Sequence, residues 1–272
     1  MPELPEVEHV RRTMRPVLKD VRVSGVTIIR PDYVRTPAAE LRQLVGRRVR
    51  AVRRHGKNIF CIFDDDHTLV IHLGMTGGVF CVGRDQPPRA HTHVIFRLAS
   101  GRQLHWRDPR RFGGLWFYPT FQAAWRGQVE GKLGVDALRL APRHLEAWAK
   151  SRGRLKAALL AQDVVAGLGN IYVDESLWLS RLHPRQMLCR LSQRQIAGLV
   201  RNIHRILRRS IRLGGTTVRD YRNVWRRRGR FAAHLAVYGR AGKPCRRCGA
   251  VLRSERTAGR TTVFCPCCQL RH

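Results

Sequence analysis

Residues 245–268 read CRRCGAVLRSERTAGRTTVFCPCC, and this stretch decides how the chain folds at its C-terminal end. It holds two cysteine pairs separated by 16 residues, each with two residues between its members: Cys245 with Cys248, and Cys265 with Cys268. Four thiolates at this spacing are typical of a tetrahedral structural zinc site. Cys267 lies inside the second pair and is a competing ligand, although the two-residue spacing favours Cys268. The spacing predicts one structural zinc ion and a β-hairpin that needs the metal to fold.

The predicted hairpin and the whole chain are strongly basic. The hairpin arginines are Arg246, Arg247, Arg253, Arg256 and Arg260. Lysine and arginine together number 52 against 19 acidic residues, which gives a formal net charge of +33 spread along the chain. This charge favours a polyanionic partner, either nucleic acid or an anionic membrane surface, although an arginine-rich proteome would also produce it.

Membrane and secretory signals are not found in the sequence. No apolar run approaches the roughly 18 residues that suggest a membrane span. The N-terminus carries Glu3, Glu6 and Glu8 and no apolar signal core. Five of the eight cysteines crowd into the metal-like segment, which does not suit a disulfide framework, and Cys61 alternates within an apolar run typical of a core thiol. We expect a cytosolic, monomeric protein with no membrane partner.

The hydrophobic periodicity changes twice along the chain. Residues 5–18 have helical spacing, residues 21–118 contain β-rich runs separated by turn residues, and residues 192–213 carry one apolar helical stripe. Ser192 and Gln195 predict a capping box for that helix, and Gly214 with Gly215 predicts its end. The pattern predicts an α+β protein with an N-terminal antiparallel β-sandwich (1–119), a helical domain (131–222) and a cysteine module (236–270).

The opening residues, MPELPEVE, place a proline directly after the initiator methionine. If Met1 is removed, Pro2 exposes a secondary aliphatic amine, which no other residue can do at a chain start. Taken alone, the acids behind it are equally typical of an ordinary helix N-terminus, where the helix dipole favours negative charge.

Taken together, the motifs resemble those of the formamidopyrimidine-DNA glycosylases, bacterial enzymes that excise oxidised purines. The resemblance covers the whole chain. It rests on PELPEVE, GKN (56–58), HLGMTG (72–77), DPRRFG (108–113), GLGNIYVDESLW (167–178), GGTTVRD (214–220), VYGRAGKPC (237–245) and FCPCCQ (264–269). It implies an N-terminal β-sandwich, a helix-two-turns-helix domain and a zinc-finger hairpin, with double-stranded DNA bound in the cleft between them.

The resemblance also implies the catalytic residues. The Pro2 amine would attack the anomeric carbon of a damaged nucleotide and form an iminium ion, which favours strand cleavage by elimination. Glu3 would protonate the opened sugar, and Glu6 would orient the amine. Lys57 would contact phosphate and assist β-elimination, and Arg260 would serve δ-elimination, although an isolated turn lysine is usually only solvated.

A second implied set contacts the DNA after the damaged nucleotide has left the stack. Met75, Arg110 and Phe112 match the residues that fill the void, although Met75 and Phe112 could instead be core residues. The remaining expected contacts are His91, Lys156 and Asn170, of which His91 could equally be a surface imidazole. Gly167 and Gly169 would let a helix N-terminus approach phosphate.

One segment departs from the family pattern. Residues 221–230 read YRNVWRRRGR, where the family usually has a polar, glycine-rich loop over the lesion. Trp225 can stack on any extruded base, which predicts weaker discrimination between lesions, unless the loop is disordered and touches no base. Two alternatives remain at this point: an endonuclease VIII-like glycosylase for oxidised pyrimidines, and a catalytically silent zinc-finger DNA-binding protein.

Overall fold

The computed structural model describes residues 2–270. By their contacts, these residues form two compact units. Unit 1 contains residues 2–130 and 213–230, and unit 2 contains residues 131–212 and 231–270. The chain therefore leaves unit 2 once, contributes a segment to unit 1, and returns.

Two four-stranded antiparallel sheets form the centre of unit 1. The first contains β1 (Val23–Ile28), β5 (Gly78–Gly83), β6 (Thr92–Leu98) and β7 (Arg102–Arg107), in the order β1-β6-β7-β5. The second contains β2 (Val49–His55), β3 (Asn58–Phe63), β4 (Thr68–His72) and β8 (Gly114–Tyr118), in the order β2-β3-β4-β8. Both sheets and the N-terminal helix α1 (Leu4–Leu18) contribute to one apolar core. The predicted β-sandwich is confirmed.

Strand β3 shows why the sandwich is stable, since all six of its residues are buried. Ile59, Cys61 and Phe63 point into the core, as strand alternation requires. Phe60 points the other way and lies against Phe121 and Trp125 of α2 (Phe121–Gln128), which covers the outer face of the sheet. Burial raises the pKa of the Cys61 thiol to about 12, so Cys61 is an inert core residue as predicted.

Unit 2 is mainly helical. Its regular elements are the short parallel pair β9 (Val135–Asp136) and β10 (Val165–Ala166), the helices α3 (Leu155–Leu160), α4 (Asn170–Ser180) and α5 (Gln193–Arg212), and the hairpin strands β11 (Arg253–Thr257) and β12 (Arg260–Phe264). Ser192 and Gln195 cap α5 reciprocally, with the Gln195 side chain accepting from the Ser192 amide at 2.9 Å. Short 3-10 turns complete the fold at Pro31–Tyr33, Ala38–Leu44, Pro142–Lys150, Leu188–Arg190 and Phe231–His234.

Among the described residues, no helix is both long enough and apolar enough to cross a membrane.

Candidate functional site

The N-terminal residues of unit 1 are held in a buried position. Pro2 and Glu3 precede α1, and Glu3 is only 2% exposed. The Glu3 amide donates to the Glu6 carboxylate at 2.9 Å, and the other oxygen of that carboxylate accepts from the Thr216 amide at 2.6 Å. One buried carboxylate therefore ties the start of α1 to a segment more than 200 residues further along the chain.

That segment, residues 214–229, forms a loop beside the N-terminus and is called the 214–229 loop below. Gly215 has φ +86, and a Cβ there would lie 3.0 Å from the Glu6 carboxylate, so only glycine fits easily. The Tyr221 hydroxyl donates to the Glu6 carbonyl at 3.3 Å. Burial and the Glu6 charge raise the pKa of Tyr221, which keeps this hydroxyl protonated as a donor. The GGTTVRD motif thus packs against the residues that carry the predicted chemistry.

The second half of this loop is anchored to the sandwich. Val224 is fully buried, and its carbonyl accepts from the Cys81 amide of β5 at 3.0 Å. The Asn223 side-chain oxygen accepts from the amides of Trp225 and Arg227, and its NH2 group lies 3.2 Å from His9 Nε2. Trp225 remains 41% exposed, which leaves an aromatic side chain at the surface of an anchored loop.

Lys57 lies in the two-residue turn between β2 and β3, where Gly56 has φ +55. A glycine with positive φ at the first turn position is typical of tight hairpins. Lys57 is half-buried, and its charge acts on His72 of the adjacent strand β4. Burial, with a further contribution from Lys57, lowers the pKa of His72 to about 4, so this imidazole is neutral at pH 7. The turn therefore holds the Lys57 cation near a neutral imidazole.

The three residues predicted to fill the DNA void lie on two interlocked turns. Asp108 is fully buried, and its carboxylate accepts from the Thr76 hydroxyl at 2.6 Å and from the Gly113 amide at 2.8 Å. Gly74 fits against Gly113 so closely that a Cβ would lie 2.3 Å from the Gly113 nitrogen. These contacts hold the turn of Met75 against the turn that carries the other two side chains.

The side chains on these turns point outward. Phe112 is 54% exposed, and the Arg110 guanidinium lies 4.6 Å from the centre of its ring. Met75 is half-buried, and His91 is exposed. His91 has φ 64, and its backbone carbonyl accepts a hydrogen bond from the Asp108 amide at 3.0 Å. The structure therefore brings Met75, Arg110, Phe112 and His91 around the buried Asp108.

In unit 2, helix α4 holds the zinc hairpin through polar side chains. Asn170 Nδ2 donates to the Thr261 carbonyl at 2.8 Å, and Asp174 accepts from the Val263 amide at 3.1 Å, both on β12. Glu175, also buried, accepts the amides of residues 236–238 at the start of the cysteine module. Arg260 is exposed at the first position of β12, so the hairpin presents it near Asn170 within the same unit.

Lys156 differs from its expected place on a DNA-binding surface. Its side chain is 0% exposed, and its Nζ lies 2.6 Å from the Asp174 carboxylate, which is also 0% exposed. In this geometry the ammonium is directed to the Asp174 carboxylate and not to the protein surface. The expected DNA contact of Lys156 stays a prediction, and in this geometry Lys156 supports Asp174, which in turn holds β12.

The four predicted zinc ligands form one cluster. The sulfur atoms of Cys245, Cys248, Cys265 and Cys268 all lie within 4.8 Å of one another. Zn–S bonds of about 2.3 Å place tetrahedral sulfurs roughly 3.8 Å apart, so the cluster fits one structural zinc. Cys267 is exposed and does not belong to the cluster.

Two N–H donors favour the thiolate form of Cys245, whereas burial raises the pKa values of Cys265 and Cys268. Trp178 Nε1 and the Arg247 amide both donate to the Cys245 sulfur at 3.4 Å. Burial raises the pKa of Cys245, but these N–H donors outweigh burial and lower it to about 6. Hydrogen bonds of this kind orient metal ligands and stabilise their charge.

Three family models match the chain in sequence order. They are the formamidopyrimidine-DNA glycosylase N-terminal domain over residues 1–115, the formamidopyrimidine-DNA glycosylase H2TH domain over residues 133–222, and the zinc finger found in FPG and IleRS over residues 242–271. The chain belongs to the formamidopyrimidine-DNA glycosylase family. Membership makes it a base-excision DNA glycosylase with a zinc finger.

Relatives of known sequence and structure span the whole chain. A formamidopyrimidine-DNA glycosylase of Pelotomaculum thermopropionicum is 39% identical and aligns over 99% of both proteins. A Lactococcus lactis FPG mutant, solved with Fapy-dG-containing DNA, superposes with a TM-score of 0.93 at 34% identity, covering 99% of this chain and 100% of that one. A MutM complex with DNA containing carbocyclic 8-oxo-G gives a TM-score of 0.92 at 34% identity and the same coverage.

The sequence had given no role to several residues that organise these two units. Asp108 and the adjacent pair Asp174 and Glu175 are buried carboxylates that organise loops around them. The signal for the pair was available, because two acids within an otherwise apolar helix need buried partners. The contact between His9 and Asn223 had no such signal, since 214 residues separate them.

Proposed function

We propose that this chain removes oxidised purines, formamidopyrimidines and 8-oxoguanine, from double-stranded DNA and then cleaves the strand at the resulting abasic site. The reaction proceeds through an iminium ion on Pro2, followed by β- and δ-elimination. The arrangement of the N-terminus carries this proposal: the Glu3 amide, directly after Pro2, donates to the Glu6 carboxylate, which also accepts from the Thr216 amide. The proposal requires the removal of Met1, which lies outside the described residues.

The position of Pro2 suits a nucleophilic amine. It lies immediately before Glu3, the N-cap of α1, and the positive end of a helix disfavours a cation, so the helix favours the neutral amine that attacks. Attack forms a bond between the Pro2 nitrogen and C1′ of the nucleotide while the bond to the base breaks, and the base leaves with a proton. Opening of the sugar ring then gives the iminium ion, with Glu3 as the acid that protonates the ring oxygen.

The iminium ion of a secondary amine cannot lose its charge by deprotonation at nitrogen, so it continues to withdraw electrons. Loss of a proton from C2′ expels the 3′-phosphate, and loss of a proton from C4′ expels the 5′-phosphate. We assign Lys57 to the first elimination and Arg260 to the second, because both are cations that stabilise a departing phosphate. Their exposure supports this: Arg260 is exposed, and Lys57 is half-buried at a turn.

The turns around Asp108 supply the residues that replace the extruded nucleotide. We assign Phe112 as the wedge in the stack, Met75 as the adaptable filler, and Arg110 as the donor to the orphaned base. The 54% exposure of Phe112 and its contact with Arg110 support this role, because an aromatic ring at a turn has no core to fill. His91 and Asn170 contribute phosphate contacts.

The 214–229 loop determines how sharply lesions are distinguished. Its position against Glu6 places it beside the nucleophile, and Trp225 offers a flat surface on which any base can stack. Arg102 lies 5.0 Å from the Trp225 ring centre, which fixes the ring without giving it a means to read base edges. We infer that the enzyme accepts several oxidised bases with little discrimination.

Single-turnover excision rates on several lesions test the role of the loop. We expect Trp225→Gly to lower the rates unequally and change the ratios between lesions, while Trp225→Phe keeps them because it preserves stacking. Unchanged ratios in Trp225→Gly would remove the loop from lesion choice.

Borohydride trapping tests the whole reaction. With a duplex that contains 8-oxoguanine, protein lacking Met1 should give a covalent protein–DNA adduct, because reduction converts the iminium to a stable amine. The matched control is the same chain with Met1 retained, in which the Pro2 nitrogen is an amide. Equal trapping in both proteins would move the nucleophile to a lysine, and no trapping in either would favour a catalytically silent DNA-binding protein.

A further inference from the structure

Helix α5 carries one strongly basic face that the catalytic proposal does not use. The helix spans Gln193–Arg212 and contains no acidic residue. Of its six exposed arginines, five lie along one side of the helix: Arg194, Arg201, Arg205, Arg208 and Arg212. At about 100° per residue, these positions fall within roughly 40° of one direction. We call this set the arginine face.

The arginine face lies opposite the buried side of the helix. The buried residues are Ile196, Leu199, Val200, Ile203, Ile206, Leu207, Ser210 and Ile211. On that side the Ser210 hydroxyl lies 2.6 Å from the Tyr172 hydroxyl of α4. The arginines therefore point away from α4, the helix whose Asn170 and Asp174 hold the zinc hairpin.

Among the described residues, no acidic side chain pairs with the arginines of this face. Within residues 2–270, none of the five forms an ion pair with a carboxylate. Three pairs among them are three or four residues apart, a spacing at which like charges destabilise a helix. The neighbouring His204 is affected too: burial lowers its pKa, and the charge of Arg208 lowers it further. An anionic partner would relieve this repulsion.

The chemistry of the face favours phosphate on a polymer. From Arg194 to Arg212 the helix rises about 27 Å at 1.5 Å per residue, a length that matches roughly eight base pairs of a duplex. Guanidinium groups bind phosphate oxygens in pairs and are always charged. A membrane-surface helix would instead expose apolar residues to the lipid, whereas the apolar side of α5 is already buried in the protein.

The geometry points to a second DNA-binding surface on this protein: the arginine face of α5 binds the phosphate backbone of duplex DNA, independently of lesion recognition. Such a surface reads no sequence, because contacts to phosphate alone carry no base identity. Its effect is to raise the affinity for undamaged DNA, which extends the time that the enzyme spends bound while it searches for damage.

Salt-dependent binding to an undamaged duplex tests this surface without requiring catalysis, so the result is separate from that of the trapping experiment. In the first variant, Arg201, Arg205, Arg208 and Arg212 are changed to Gln, which keeps helix propensity and removes four charges. In the matched control, the exposed Arg139, Arg143, Arg152 and Arg190 of the same unit are changed to Gln. In a third protein, the same four arginines as in the first variant are changed to Lys.

Each phosphate contact contributes about 0.9 to the slope of log affinity against log salt. We expect the first variant to lower that slope by up to about 3.6 and the control to change it much less. The Lys protein should keep most of the slope, since its charge is unchanged. Two double variants, one with Arg201 and Arg205 changed to Gln and the other with Arg208 and Arg212 changed to Gln, should each lower the slope by up to about 1.8. These double variants keep the test valid if the fourfold change unfolds the helix.

Three results would overturn the proposal. Equal slopes for the first variant and the wild-type protein would show that the face does not bind DNA. Equal losses in the first variant and the control would show a general effect of net charge. A loss confined to RNA, or to vesicles of anionic lipid, would assign the face to another partner.

Discussion

Lys156→Met should weaken unit 2 rather than the contact with DNA. The change removes the ammonium that lies 2.6 Å from the Asp174 carboxylate, at a site where both side chains are 0% exposed. Asp174 also accepts the Val263 amide, so the ion pair supports the strand that carries Arg260. Burial already raises the pKa of Asp174 to about 7 against the opposing effect of Lys156. Without Lys156 we expect that pKa to rise further.

The size of the effect follows from the uncompensated charge. Removing one partner of a buried ion pair costs about 3–5 kcal/mol of unfolding free energy, because the remaining group must either keep its charge without a partner or take up a proton. Changing both partners to neutral groups avoids most of that cost. We therefore expect Lys156→Met with Asp174→Asn to be more stable than either single variant, since Asn still accepts the Val263 amide. In a double-mutant cycle, the two single costs should not add.

Urea unfolding of the zinc-loaded protein, monitored by its tryptophan fluorescence, to which Trp178 beside Cys245 contributes, measures these differences. DNA binding provides the second readout, under conditions in which the variant remains folded. A phosphate contact by Lys156 would lower the salt slope by about 0.9 when the lysine is removed. That loss, combined with a stability change below about 1 kcal/mol, would refute a positioning role and restore Lys156 as a direct DNA contact.

Three further predictions concern the metal, the loop and the hairpin turn. Removing zinc with a chelator should abolish DNA binding while the near-UV circular dichroism of the sandwich persists; freshly purified, active protein without zinc would contradict this. Burial and the charge of Arg12 lower the pKa of His9, so its bond to Asn223 is present at neutral pH and its contribution to stability is lost as the pH falls through that pKa. Trp225 fluorescence should report that transition, and a His9→Leu variant with the same transition would exclude His9. Ala258 has φ 51 in the turn before Arg260, so Ala258→Gly should stabilise the zinc hairpin by up to about 1 kcal/mol and raise its melting temperature. An unchanged or lower melting temperature would show that the turn is unstrained.

Local patterns in the sequence predicted the local structure well. The ends of α1 and α5 follow from Pro5, the Ser192 capping box and Gly214, because caps depend on residues within one helical turn. The zinc cluster was predicted for the same reason, since each CxxC pair fixes two ligands within four residues. The apolar run around Cys61 likewise predicted a core thiol, and Cys61 lies in the core.

Contacts between distant residues could not be predicted in this way. Glu6 meets Thr216 across 210 residues, and Asp108 meets Thr76 across 32, so no local spacing encodes either pair. Lys156 illustrates the same limit. A single lysine at a helix start is usually exposed, and only the position of Asp174 on α4 explains why this one is buried. The catalytic assignments of Pro2, Glu3, Lys57 and Arg260 stay predictions until the chemistry is measured.

The most direct measurement is the identity of the amino acid that is joined to DNA. After borohydride reduction of the protein with a duplex that contains 8-oxoguanine, the adduct is digested and the DNA-bearing peptide is sequenced by mass spectrometry. The proposed reaction predicts a single modified peptide that begins at Pro2 and carries the sugar fragment on its α-nitrogen. Modification of Lys57, or of any other lysine, in place of Pro2 would contradict it.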